Sequence, residues 1–101
     1  MNVIARPKLC GFQAEFADAR AWLDQWWTVA KRAVWTRLDD VRTTYPFTDQ
    51  YGRCLIFNCK GNKHRLIVGV SYATNERSGT LFIKHFLTHA EYDKDYWKES
   101  C

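Results

Sequence analysis

The 101 residues predict an α+β domain: N-terminal helices packed on one face of a small antiparallel or mixed sheet, followed by a short C-terminal helix. Three observations lead there. The spacing of apolar residues changes from helical to alternating once, near residue 50. Apolar residues make up 47% of the chain and aromatic residues 16%, which supplies a core that needs no staples. A T-x-x-E box at Thr88 and Glu91 then marks a helix start after the last alternating run. At this length a single domain, residues 1–101, is expected.

Each element has its own signal. "MNVIA" reads as a short first strand, and Pro7 suits the first turn of a helix over about residues 7–16, where its missing N–H costs nothing. From Asp18, Trp22, Trp26, Val29 and Ala33 recur at helical spacing, and Leu23, Trp27, Ala30 and Val34 repeat the pattern one step round. A long helix with a wide apolar face follows, with Lys31 and Arg32 at the end that favours cations. "RLDDVRTT" reads as a third, short helix that stops before Pro46 because Tyr45 is pushed out of the helical region. Strands are expected at about 52–58, 64–73 and 79–86, joined by a "CKGN" turn and an "NERSG" turn. The last helix begins in "THAEYDKDYW".

Net charge is +4, and its distribution says more than its total. Residues 50–89 hold six Lys or Arg (Arg53, Lys60, Lys63, Arg65, Arg77, Lys84) and three His against one acid, Glu76. A basic surface over the C-terminal half fits a polyanion such as nucleic acid, although a basic domain without such a partner has the same composition. Cys10, Cys54, Cys59 and Cys101 form no C-x-x-C pair, and Cys54 and Cys59 fall on opposite faces of one strand. The pattern argues against a zinc framework and for free thiols in a reducing cytoplasm. No secretory signal or membrane-length apolar stretch is visible.

Alternation in residues 64–73 puts His64, Leu66, Val68, Val70 and Tyr72 on one face, expected to be core, and Arg65, Ile67, Gly69 and Ser71 on the other. For residues 79–86 two open-face sets compete: Leu81, Ile83 and His85, or Thr80, Phe82, Lys84 and Phe86. Lys60, Lys63 and His64 flank the Gly61-Asn62 turn, where three donors and the turn's own N–H groups can reach a phosphate together. Lysines at a hairpin also serve simply to block edge pairing. His89 and Tyr92 share a helix face next to the capping Thr88, with Lys94 two residues on. A helix N-terminus disfavours imidazolium, leaving an imidazole able to take or pass a proton, whereas the bland reading makes His89 a cap and Tyr92 a packing residue. The Trp22, Trp26, Trp27 cluster reads as core or a protein-facing surface rather than a base-stacking platform. No carboxylate pair or Cys/His set has metal-ligand spacing, and no Ser-His-Asp signature or Gly-rich phosphate loop appears.

Two runs resemble the HigB family of toxins within the RelE-like superfamily: "FNCKGNKHRLIV", through Phe57, Asn58, Gly61, Asn62 and Arg65, and "LFIKHFLTHAEYDK", through Thr88, His89, Glu91, Tyr92 and Asp93. The resemblance implies a compact sheet-and-helix ribonuclease that cuts messenger RNA, usually on the ribosome, with no metal or other cofactor. It implies silencing by a HigA-type helix-turn-helix antitoxin, which alone would contact operator DNA, and no role at a membrane. Cleavage of this kind uses the RNA 2′-OH against its own phosphate. That requires a base, an acid and cations for the phosphorane charge. On this resemblance Arg65 is expected to hold the phosphate with Lys63 and Lys60, His89 to transfer a proton, and Tyr92 to orient a base or share the proton work. Asn62, His64, Lys84 and Lys94 are expected to contact RNA, with His85 a further candidate. The alternatives are a non-catalytic RNA- or ribosome-binding module, and a co-repressor that only docks an antitoxin.

Overall fold

The computed structural model describes residues 1–59 and 63–101. Among them, strands β1 (Asn2–Ile4), β2 (Asp49–Tyr51), β3 (Cys54–Cys59), β4 (His64–Ser71) and β5 (Thr80–Thr88) form one sheet in the order β1-β5-β4-β3-β2. Helices α1 (Arg6–Glu15), α2 (Arg20–Arg32) and α3 (Leu38–Thr44) precede β2, and α4 (His89–Asp93) follows β5. Short 3₁₀ segments lie at Ala17–Ala19 and Tyr96–Ser100. The expected α+β class is what the chain adopts. The sheet is mixed, because β1 pairs parallel with β5 while the other neighbours are antiparallel. The expected Gly61-Asn62 turn, with Lys60, lies outside the described residues.

The helical layer forms because one stripe of each helix is apolar and the sheet face beneath it is too. Leu23, Trp26 and Ala30 of α2 are fully buried, with Trp22, Trp27 and Val29 packed at their margin. Trp27 carries Arg6 on its ring at 4.5 Å, so this Trp cluster is core and its cationic rim. Val34, expected on the same stripe, is exposed because α2 ends at Arg32 and Ala33 is already extended. From the sheet, Phe57 meets Trp26 at 5.5 Å and Tyr45 at 5.3 Å, both edge-on. Truncating an aromatic in such a setting costs about 3–5 kcal/mol.

β4 alternates as its sequence predicts: Leu66 and Val68 join the helical core while Ile67 joins the opposite cluster. β5 follows neither expected alternation. Ile67 pairs with His85 but Val68 with Ile83, so Lys84 is an extra residue, a β-bulge. Leu81, Ile83 and Phe86 therefore all point into the helical core, and the open face receives Phe82, His85 and Leu87 instead. Gly69 lies beside the bulge, where a Cβ would sit 2.8 Å from Lys84 Cε.

β2 carries no alternation in its three exposed residues, which is why periodicity misses it. The last helix is shorter than expected. It starts at the Thr88–Glu91 capping box but ends at Asp93, and Asp95 takes a left-handed conformation (φ 64°) that turns the chain back over the open face. There Trp97 is buried with Cys54, Ile56 and Ile67. This fold-back also overturns the expectation of free thiols throughout. Cys101 reaches Cys54, 47 residues away, and the two form a disulfide with Cα atoms 5.4 Å apart. Cys10 is an exposed thiol, and Cys59 is buried on the helical face, opposite Cys54 as the alternation requires. Among the described residues no helix is long and apolar enough to cross a membrane.

Candidate functional site

Arg65 starts the open face. It stands opposite Asn58 on β3 and Leu87 on β5, with its residue surface only 9% exposed. Its Nη1 donates to the His64 carbonyl at 3.3 Å, and its guanidinium lies 5.2 Å from the centre of the Tyr92 ring. A buried guanidinium held this way has little rotamer freedom left to lose on meeting a ligand. Tyr92 is held in turn by Trp97, stacked at 5.1 Å and 11° with its indole N–H donating to the Tyr92 carbonyl at 3.0 Å. Burial pushes the Tyr92 phenol above its ordinary 10.0, and Arg65 offsets only part of this, so the hydroxyl is a donor at neutral pH.

His89 opens α4 directly after Thr88, which is paired with His64 at the head of β4, so imidazole and guanidinium start from the same end of the sheet. The capping box determines that position: Thr88 Oγ1 accepts the Glu91 N–H, and Glu91 Oε1 accepts the Thr88 N–H. His89 Nδ1 lies 3.0 Å from Asp93 Oδ2. With Nδ1–H donating to that carboxylate, Nε2 is the ring atom positioned to exchange a proton with a ligand, on a half-exposed side chain. Asp93 is the residue that sequence reasoning left without a role. Its signal was present, since i and i+4 are neighbours on a helix.

The other expected contacts divide. Lys63 is bonded at 2.6 Å to Asp18, in the helical layer, and this bond holds the Asp18 carboxyl below its usual range. His64 is buried between Phe16 and Phe86, stacked 5.0 Å from the latter, on the face opposite Arg65. The alternation that sends Arg65 outward sends His64 inward. Its expected contact with RNA is therefore not supported by its placement. Lys84 and His85, on the open face, both hold the C-terminal segment: Lys84 Nζ donates to the Ser100 carbonyl at 2.6 Å, and His85 Nε2 lies 3.0 Å from Ser100 Oγ. Because Ser100 Oγ donates its proton to the Trp97 carbonyl, His85 Nε2 is the donor in that contact. Burial and the charges of Lys8 and Lys84 hold the His85 pKa below its ordinary 6.5. Lys94 lines a cavity of about 300 Å³ with His85, Leu87, Glu91, Tyr96 and Trp97. A larger groove of about 860 Å³ runs past Arg53, Gly69, Phe82 and Lys84 on the other part of the same face. Lys60 and Asn62 lie outside the described residues.

The arrangement offers a fixed cation, a phenol donor and an imidazole backed by a carboxylate at one end of a grooved face. Comparison with known proteins points the same way. Residues 19–95 match the family model HigB_toxin, described as the RelE-like toxic component of a toxin-antitoxin system. The chain is also 25% identical over 105 aligned positions to the mRNA interferase HigB of Escherichia coli O6:H1, covering 99% of this chain and 98% of that protein.

Proposed function

Since the chain belongs to the HigB toxin family, the RelE-like toxic components of toxin–antitoxin systems, we propose that it is an endoribonuclease that cuts messenger RNA at the Arg65–Tyr92–His89 end of its open face. The relative's name, mRNA interferase, indicates the substrate class. The observation that carries the proposal is the Arg65 guanidinium, buried, seated on Tyr92 and paired across the sheet with Leu87, which lines the cavity of about 300 Å³.

In this reading a phosphate of the RNA meets the Arg65 fork. His89 Nε2 takes the 2′-OH proton while Asp93 steadies the imidazolium that forms, and the 2′-oxygen attacks the adjacent phosphorus. Arg65 holds the growing phosphorane charge, the Tyr92 phenol gives its proton to the departing 5′-oxygen, and the proton taken up by His89 returns through solvent to the tyrosinate. The products are a 2′,3′-cyclic phosphate and a 5′-hydroxyl end. Lys84 and Lys94, beside the two openings, attract the flanking strand. Lys63 reaches the phosphate only by leaving its solvent-exposed pair with Asp18. Ribosomes supply the messenger, and a HigA-type helix-turn-helix antitoxin silences the toxin.

The test expresses the chain alone and as Arg65→Ala, mapping messenger 5′ ends at ribosomes and following growth. We expect arrest with new 5′-hydroxyl ends for the parent and a roughly 100- to 1,000-fold slower cut for the variant, the usual loss for one transition-state donor. Arrest without new ends would instead make the protein a non-catalytic binder.

A further inference from the structure

The C-terminal segment does more than close the fold, because each end of it is tied to a different part of the candidate site. At one end Trp97 is stacked on Tyr92, which is the ring that seats the Arg65 guanidinium. At the other end Cys101 is bonded to Cys54 of β3, and its carbonyl accepts the Arg53 N–H at 3.1 Å. The turn there is shaped for it: Gly52 has φ +56°, and a Cβ at that position would lie 2.5 Å from the Cys101 oxygen. Between the ends, Ser100 Oγ donates to the Trp97 carbonyl at 2.9 Å, while Lys84 and His85 donate to Ser100. A covalent bond thus holds a five-residue 3₁₀ segment whose indole positions the site.

We infer that Trp97 is a positioning residue for the Tyr92–Arg65 pair, and that the Cys54–Cys101 disulfide keeps it in place, so that RNA cleavage responds to thiol–disulfide exchange. The inference rests on the reading of this face as the cleavage site. The reductant is a dithiol. Its first thiolate attacks the Cys101 sulfur, because Cys54 is fully buried, and the S–S bond breaks to leave Cys54 as the leaving thiolate. The second thiol of the reductant then displaces Cys101 and becomes a disulfide with the first. Two electrons pass to the protein, and the two protons end on Cys54 and Cys101. Without the bond the segment keeps its hydrogen bonds and the packing of Trp97, but its last residue is no longer anchored to β3, and Trp97 loses its fixed seat on Tyr92.

The test has one readout in activity and one outside it. Cleavage of a labelled messenger, free and on programmed ribosomes, is followed for the oxidised protein, the protein reduced with dithiothreitol, Trp97→Phe, Trp97→Ala and Cys101→Ser, with circular dichroism showing each to be folded. Trp97→Ala and reduction should each lower kcat about tenfold with KM changed less than threefold, Trp97→Phe should restore most of kcat, and reduction should have no further effect on Trp97→Ala. In parallel, the Arg65 Hε NMR signal, shifted by the Tyr92 ring, should move toward its free position on reduction and in Trp97→Ala but not in Trp97→Phe. A ring-shifted Arg65 signal that survives both reduction and Trp97→Ala overturns the inference, as does an equal loss of kcat on reduction with and without Trp97. A signal that moves as expected in a protein that cuts no RNA supports the positioning role and refutes the nuclease reading instead.

Discussion

Removing the Cys54–Cys101 bond should destabilise the fold by an amount that its place in the chain fixes. The bond closes a loop spanning 47 residues. Loop-closure entropy for that length gives about 4 kcal/mol at 25 °C, acting through the unfolded chain, which becomes free to expand once the bond is cut. Against the roughly 5–15 kcal/mol by which small domains are stable, that is a large share, equivalent to about 15–30 °C in Tm at this size. Native packing adds to it in part. Trp97 and Ile56 stay apolar and buried only while the segment remains docked, so fraying would release their burial as well. The assay is urea unfolding of the oxidised protein and of Cys54→Ser/Cys101→Ser, with the intact mass confirming the bond in the former. We expect a lower midpoint and a steeper slope for the double variant, because its unfolded state exposes more surface. A loss below about 1 kcal/mol with the bond confirmed would refute the reasoning. It would mean that the cross-linked unfolded chain is hardly more restricted than the open one.

Three more outcomes follow from particular contacts. Thr88→Ala removes the acceptor for the Glu91 N–H and should cost about 1 kcal/mol in chemical denaturation, with a visible loss of order at Tyr92, whose helix it starts. Asp93→Asn leaves an exposed pair broken, which changes stability little, but it should slow cleavage at least roughly tenfold because the His89 ring loses its orienting carboxylate; unchanged rates would remove His89 from proton transfer. His85 makes stability depend on pH: the folded protein resists protonating it, so the unfolded chain binds more protons below about 6.5, and the stability present above that pH declines as pH falls through it toward the depressed folded value. Thermal melts between pH 8 and 5 should show that decline, and His85→Gln, which can still donate to Ser100, should flatten it.

What the sequence determined by itself is local. A period of two requires Arg65 and Leu66 to leave β4 on opposite faces, the Thr88–Glu91 box specifies where α4 begins, and helical spacing buries Trp26, because each signal is read from residues within a turn or two of one another. His89 and Tyr92 are legible in this way as one face of α4, and Asp93 one turn beyond His89 equally so, whereas the nearness of Arg65, more than twenty positions earlier, depends on the pairing of β4 with β5. The tertiary structure decided what depends on distant partners. Lys84 becomes a bulge only when β5 is laid against β4, which puts Phe86 on the same core face as Leu81 and Ile83, a combination that neither expected alternation allows. Lys63 finds Asp18 across 45 positions, and Cys54 finds Cys101 across 47. β1 pairs parallel with β5 although the chain first returns to the sheet at β2, on the far edge, and reaches β5 last. Such contacts carry no periodic signature, since they arise from the free energy of closing a long loop against the burial it gains, a balance that no short window of residues contains.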